Sequence, residues 1–136
     1  MSAGTGAPEP GIRVEHRRYV PYAAAHYAGH LVDGAWGLGL FGDVATELCV
    51  RTDGDEGLFA SYSDVQFRAP VRAGDTVVAT ATLTRVGSRS RRMDFELWVV
   101  ARAAPEGETA SAAGVLPVPL LATTATGTVV VPGPHH

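Results

Sequence analysis

The sequence predicts an α+β domain in which a curved, antiparallel five-stranded sheet wraps one central helix. Three observations carry that prediction. Only one stretch of the 136 residues, from Asp33 to about Arg51, has the length and spacing of a long helix, and it is apolar on nearly every side. Beyond Gly57 the hydrophobic period becomes two and stays there. The chain is long enough for one sizeable core and too short for two domains.

Residues 1–11, rich in Gly, Pro and Ala without periodicity, read as a disordered tail, residues 12–132 as the domain, and 133–136 as a loose end. Ile12–Val20 alternates, with Ile12, Val14 and His16 on one face, and predicts the first strand. Residues 21–32 read as a loop carrying Tyr22, His26, Tyr27 and His30. Asp33 is placed to cap the helix, because its carboxylate can accept the free N–H groups of the first turn. Ala35, Leu38, Phe41, Gly42, Ala45, Leu48 and Cys49 fill one arc of that helix, while Asp43 and Glu47 fall opposite, beside Trp36 and Leu40. Gly34, Gly37, Gly39 and Gly42 each cost up to about 1 kcal/mol against Ala in a helix, so a close approach of backbone or ligand is expected there.

After a turn at 52–57, Leu58–Arg68 predicts a strand with Phe59, Val65 and Phe67 on one face and Tyr62, Asp64 and Gln66 on the other. Residues 70–75 form a turn. Thr76–Val86 and Arg91–Arg102 form a hairpin through Gly87–Ser90, and after a loose stretch residues 120–131 supply the last strand. Five strands cannot leave so apolar a helix in water, so the sheet must curl around it, which is the hotdog architecture. Pairing two copies edge to edge would also remove an exposed strand edge.

Composition excludes several classes of function. Fourteen acidic against eleven basic residues give a net charge of −3 without a basic stripe, so nucleic acid is not expected as a partner. Every basic residue is arginine, which excludes lysine Schiff-base chemistry. One cysteine, Cys49, allows neither an internal disulfide nor a multi-cysteine metal site, and its apolar neighbours make it a core residue. The histidines lack ligand spacing on one element, so no metal site is expected. No apolar run has the length of a membrane helix and no leader pattern opens the chain, so the expectation is a cytoplasmic protein without a membrane partner.

Between residues 26 and 75 the chain resembles hotdog acyl-CoA enzymes, through Gly29-His30 before the helix and Pro70-Val71-Arg72-Ala73-Gly74-Asp75 after a later strand. In thioesterases of the 4-hydroxybenzoyl-CoA type, the position three residues before that first glycine is typically a catalytic Asp; here it is His26. The longer strings AHYAGHLVDGA, LFGDVATE, RTDGDEGLF and ATGTVVVP look more like the 3-aminobutyryl-CoA ammonia-lyase group. The resemblance implies reversible addition of ammonia across the α,β-carbons of a short acyl-CoA. Coenzyme A is then part of the substrate, no separate cofactor is implied, and a homodimer or higher oligomer is expected. An acyl-CoA thioesterase and a non-catalytic acyl-CoA-binding protein remain the alternatives on the same scaffold.

That chemistry needs a base for the α-proton, a carboxylate at the amine, and donors for the enolate oxygen. Asp43 and Glu47, four residues apart, share one helix face, where like charges would push one carboxyl's pKa upward. They and His26 are the catalytic candidates. Asp33, Gly34 and Ala35 at the helix start, with Tyr27 and Tyr62, are the substrate-binding candidates, the N–H groups of Gly34 and Ala35 receiving the enolate oxygen. Asp43 and Glu47 could equally be a solvated helix face, Asp33 only a cap and His26 only a loop hydrogen-bonder. Arg89, Arg91 and Arg92 could clamp the CoA phosphates or simply crown a hairpin in water.

Overall fold

The computed structural model describes residues 8–133, so most of the tail expected at 1–11 and of the loose end expected at 133–136 lies outside them. Its elements are β1 (Arg13–Tyr19), β2 (Ala25–Tyr27), β3 (Leu31–Val32), α1 (Gly34–Asp53), β4 (Leu58–Phe67), β5 (Val71–Arg72), β6 (Thr76–Val86), β7 (Ser90–Ala103) and β8 (Ala113–Val130). The main sheet is antiparallel, in the order β1-β6-β7-β8-β4, with α1 packed along its concave face. The tail expected at 1–11 does not extend so far: the Gly11 N–H donates to the Leu83 carbonyl at 2.7 Å, tying the chain to β6 ahead of β1.

The period-two pattern does what it predicts. Val77, Ala79, Ala81 and Leu83 of β6, and Met93, Phe95, Leu97 and Val99 of β7, all point inward and are buried. Against them α1 lays Leu40, Phe41, Val44, Ala45, Leu48 and Cys49, and the Phe41 and Phe95 rings stack with centroids 5.0 Å apart. The helix is not wrapped on every side: Ala35, Gly39, Asp43, Thr46 and Val50 are exposed, so its outer face is open in the single chain. Gly54 ends it in the left-handed conformation, φ 65°, its N–H returning to the Val50 carbonyl at 3.0 Å.

Three departures from the sequence reading have local causes. The loop at 21–32 contains β2 and β3, which join β5 in a small second sheet beside the helix start. The second half of the loose stretch before residue 120 is strand, because β8 begins at Ala113; Pro117 and Pro119, which cannot donate ladder bonds, fall between the paired Val115 and Leu120, where the register slips. In β4 two register shifts interrupt the alternation, one between Phe59 and Ser61 and one between Ser63 and Gln66. The first turns Tyr62 to the same side as Phe59, their ring centroids 4.3 Å apart, so Tyr62 does not occupy the opposite face with Asp64.

The Gly74-Asp75 turn is structural. Asp75 is fully buried and accepts from Arg102 Nε and an Arg102 terminal nitrogen, both at 2.9 Å, and from the Arg72 backbone N–H at 2.8 Å. Gly74, at φ 89°, has the Tyr22 hydroxyl 2.8 Å from where a Cβ would stand, so the turn requires glycine on two counts.

Candidate active site

The start of α1 opens on a cleft of about 230 Å³. Its walls are Val32, Asp33, Gly34, Trp36 and Gly37 at the helix entry, Phe67–Val71 running from the end of β4 into β5, and Leu97 and Thr123 from the sheet. Helix geometry leaves the N–H groups of Gly34 and Ala35 without intrahelical acceptors, at the positive end of the helix dipole. The Trp36 N–H turns back to the Asp33 carbonyl at 3.3 Å. Asp33 stands at the cap position, but its side chain makes no capping bond, so its half-buried carboxylate is free in the cleft wall.

The expected close approaches are real at two of the four helix glycines. A Cβ at Gly34 would stand 2.2 Å from the Phe67 ring, and one at Gly37 would stand 2.9 Å from Leu97 Cδ2. Gly39 and Gly42 meet nothing within 4 Å. Glycine at 34 therefore lets the Phe67 ring lie against the helix start as one wall of the cleft.

The other sequence candidates disperse. Ala35 is exposed and His26 and Tyr27, also exposed, pack edge to face with centroids 4.6 Å apart; none of the three lines the cleft. Tyr62 is tied inward, its hydroxyl donating to the Leu38 carbonyl at 2.6 Å, and burial, with the Asp43 charge adding, pushes its pKa up to about 12. It braces β4 against the helix and is not in the cleft wall.

Asp43 and Glu47 share a helix face as expected, yet the raised carboxyl does not appear at Glu47. Hydrogen bonds from His16 and then Arg51 hold Glu47 below the usual carboxylate range. His16 Nε2 lies 2.6 Å from Glu47 Oε1, and Arg51 Nε donates to Oε2 at 2.7 Å. An Arg18 guanidinium nitrogen sits 3.3 Å from His16 Nδ1; since arginine can only donate, Nδ1 accepts and the Nε2–H faces Glu47. Glu47 is thus ion-paired with Arg51 and hydrogen-bonded by His16. Asp43 is exposed, nine residues past Gly34 and so about 13 Å along the axis from the cleft of its own chain.

The arginine trio also separates. Arg91 is buried and bidentate on Asp53, at 3.0 and 2.7 Å, and donates to the Gly87 and Ser90 carbonyls at 2.9 Å each. It clamps the hairpin to the end of α1 and has no face left for a phosphate. Asp53 pays for its burial through these bonds and that from Thr52, which together hold its pKa below the usual range. Arg89 and Arg92 are exposed, but on the same chain they stand at the far end of a 20-residue helix from the cleft, about 30 Å away. Cys49 is in the core, and burial first, then Asp53, pushes its thiol up to about 11, which rules it out as a nucleophile at neutral pH.

Trp36, Phe67, Arg68, Leu97 and Thr123 are among the cleft residues that sequence reasoning did not select. Phe67 and Leu97 carried an ordinary strand signal, and Arg68 is exposed with its Nε on Thr124 Oγ1 at 3.1 Å. No group of His, Cys, Asp and Glu among the described residues could hold a metal ion, and no helix among them is long and apolar enough to cross a membrane.

Residues 30–103 match the Thioesterase superfamily. Over 109 residues the chain is 50% identical to a 3-aminobutyryl-CoA ammonia lyase of Acetoanaerobium sticklandii, spanning 79% of this chain and 85% of that one. The fold matches beta-alanyl-CoA:ammonia lyase from Clostridium propionicum with a TM-score of 0.84 and 36% identity, over 94% of each chain. A hexameric thioesterase from Yersinia pestis has the same fold at 20% identity, with a TM-score of 0.70 over 92% of this chain and 90% of that one.

Proposed function

Because this chain belongs to the Thioesterase superfamily and, within it, to the 3-aminobutyryl-CoA ammonia lyase family, we propose that it reversibly adds ammonia to a short enoyl-CoA such as crotonyl-CoA. The 50% identity to a lyase of that activity carries the reading, and the cleft supplies the chemistry. In the elimination direction a carboxylate takes the α-proton and the electron pair forms the thioester enolate. The enolate oxygen is received by the Gly34 N–H group at the positive helix end. The enolate then collapses, the Cβ–N bond breaks, and the β-ammonium group leaves as ammonia while the base later yields its proton to water.

Two carboxylates are assigned. Asp33, free in the cleft wall, holds the ammonium group. Asp43 is the base, serving the cleft of a second copy. An edge-to-edge homodimer along β4 fits this role, because β4 is an edge of the sheet and ends at Phe67 in the cleft wall. Arg89 and Arg92 would reach the CoA phosphates only from such a second copy. Coenzyme A enters as part of the substrate, no further cofactor is invoked, and the enzyme works in the cytoplasm.

Incubation with crotonyl-CoA and ammonia tests the reading. The expected product is the aminated thioester; release of free CoA thiol in its place would identify a thioesterase, and saturable binding without turnover a binding protein.

A further inference from the structure

We propose that Leu97 is the stop that limits the acyl chain to about four carbons, with Gly37 providing the space it occupies. The inference rests on the reading that the cleft at the start of α1 holds the acyl thioester. Leu97 reaches that cleft from β7, whereas its inward neighbours Phe95 and Val99 pack the core away from it. It is only 1% exposed, which places it at the cleft floor. Gly37 is the one residue on the buried stripe of α1 at this level without a side chain, and a Cβ there would stand 2.9 Å from Leu97 Cδ2. The leucine tip and the glycine therefore dovetail, closing the cleft three residues below the Gly34 N–H group.

Three residues of helix rise about 4.5 Å. At about 1.5 Å per bond that distance spans roughly three bonds, which reaches the fourth carbon when a thioester carbonyl held at the helix start is the first. A cleft of about 230 Å³ also falls below the ~300–1,000 Å³ common for small-molecule pockets. A crotonyl chain fits this depth, and a hexenoyl chain would have to displace Leu97.

The test compares kcat/KM for ammonia addition to crotonyl-CoA and 2-hexenoyl-CoA in the wild type, Leu97→Val and Leu97→Ala. Leu83→Val serves as the folding control, since Leu83 is equally buried but outside the cleft. Direct binding of the saturated analogues butyryl-CoA and hexanoyl-CoA, measured by calorimetry, gives the length preference independently of turnover. The Leu97 variants should shift the ratio toward the longer chain by at least about 10-fold, the low end of what one methylene achieves in an apolar pocket. An unchanged ratio in folded Leu97→Val, or an equal change in Leu83→Val, would overturn the assignment. A wild type that binds butyryl-CoA more tightly than hexanoyl-CoA yet adds no ammonia would instead contradict the functional reading and leave the stop in place.

Discussion

Replacing Arg91 by Ala separates a structural arginine from a phosphate clamp. Arg91 and Asp53 have side chains 7% and 14% exposed, and the variant leaves the Asp53 carboxylate shielded from water with its two guanidinium bonds gone. Breaking a buried pair by removing one partner costs about 3–5 kcal/mol. The Gly87 and Ser90 carbonyls lose the Arg91 donor as well, but Ser90 keeps the Gly87 N–H at 2.8 Å and both lie at a hairpin where water can replace the guanidinium. For a chain of this length 1 kcal/mol corresponds to roughly 3–4 °C in Tm, so the expected fall is about 10–20 °C. Arg91→Lys should recover little, since an ammonium cannot reproduce the two-pronged contact. Thermal unfolding gives the loss, and steady-state kinetics at a temperature where the variant is folded gives KM. A Tm within 2–3 °C of the wild type (roughly 1 kcal/mol or less) together with a raised KM for acyl-CoA would refute the structural assignment.

Four further outcomes are expected. Asp43→Asn should lower kcat by at least about 10²-fold, the usual scale for a positioned base, whereas Glu47→Gln should leave kcat within a few-fold, because Glu47 is already hydrogen-bonded by His16 and ion-paired with Arg51. Glu47 titrates below its ordinary value, so its pairs stabilise the fold above the usual carboxylate range and that contribution is lost as pH falls through the lowered value; Glu47→Gln should flatten this part of the acid-unfolding curve. Gly34→Ala must displace the Phe67 ring, which is 60% exposed and free to swing outward, so lyase activity should fall while Tm changes little. Asp75→Ala leaves the part-exposed Arg102 guanidinium only the Pro70 carbonyl and takes the acceptor of the Arg72 N–H, and chemical denaturation should show a loss of about 2–3 kcal/mol.

The sequence reveals whatever depends on neighbours a few residues apart. The β6–β7 hairpin, the single helix from Gly34 and the burial of Cys49 follow from local period and punctuation, and the hotdog wrapping follows from their sum. What it conceals depends on distant partners. GSRSRR looks like a solvated hairpin until Asp53, 38 residues earlier, is found against Arg91. The Asp43–Glu47 pair looks like two coupled carboxylates until His16 arrives from β1. A bulge has no reliable signature in an alternating strand, so Tyr62 is assigned to the wrong face. Phe67 and Leu97 read as ordinary strand residues because only Gly34 and Gly37, far away in sequence, make them walls of a cleft.

The most direct test of the central claim is mass analysis of the thioester pool after incubating the full chain with crotonyl-CoA and ammonia, with free thiol measured in parallel. The account predicts 3-aminobutyryl-CoA formed in proportion to the crotonyl-CoA consumed, without thiol release, and loss of that product in Asp43→Asn. Stoichiometric free CoA with no aminated thioester would contradict it.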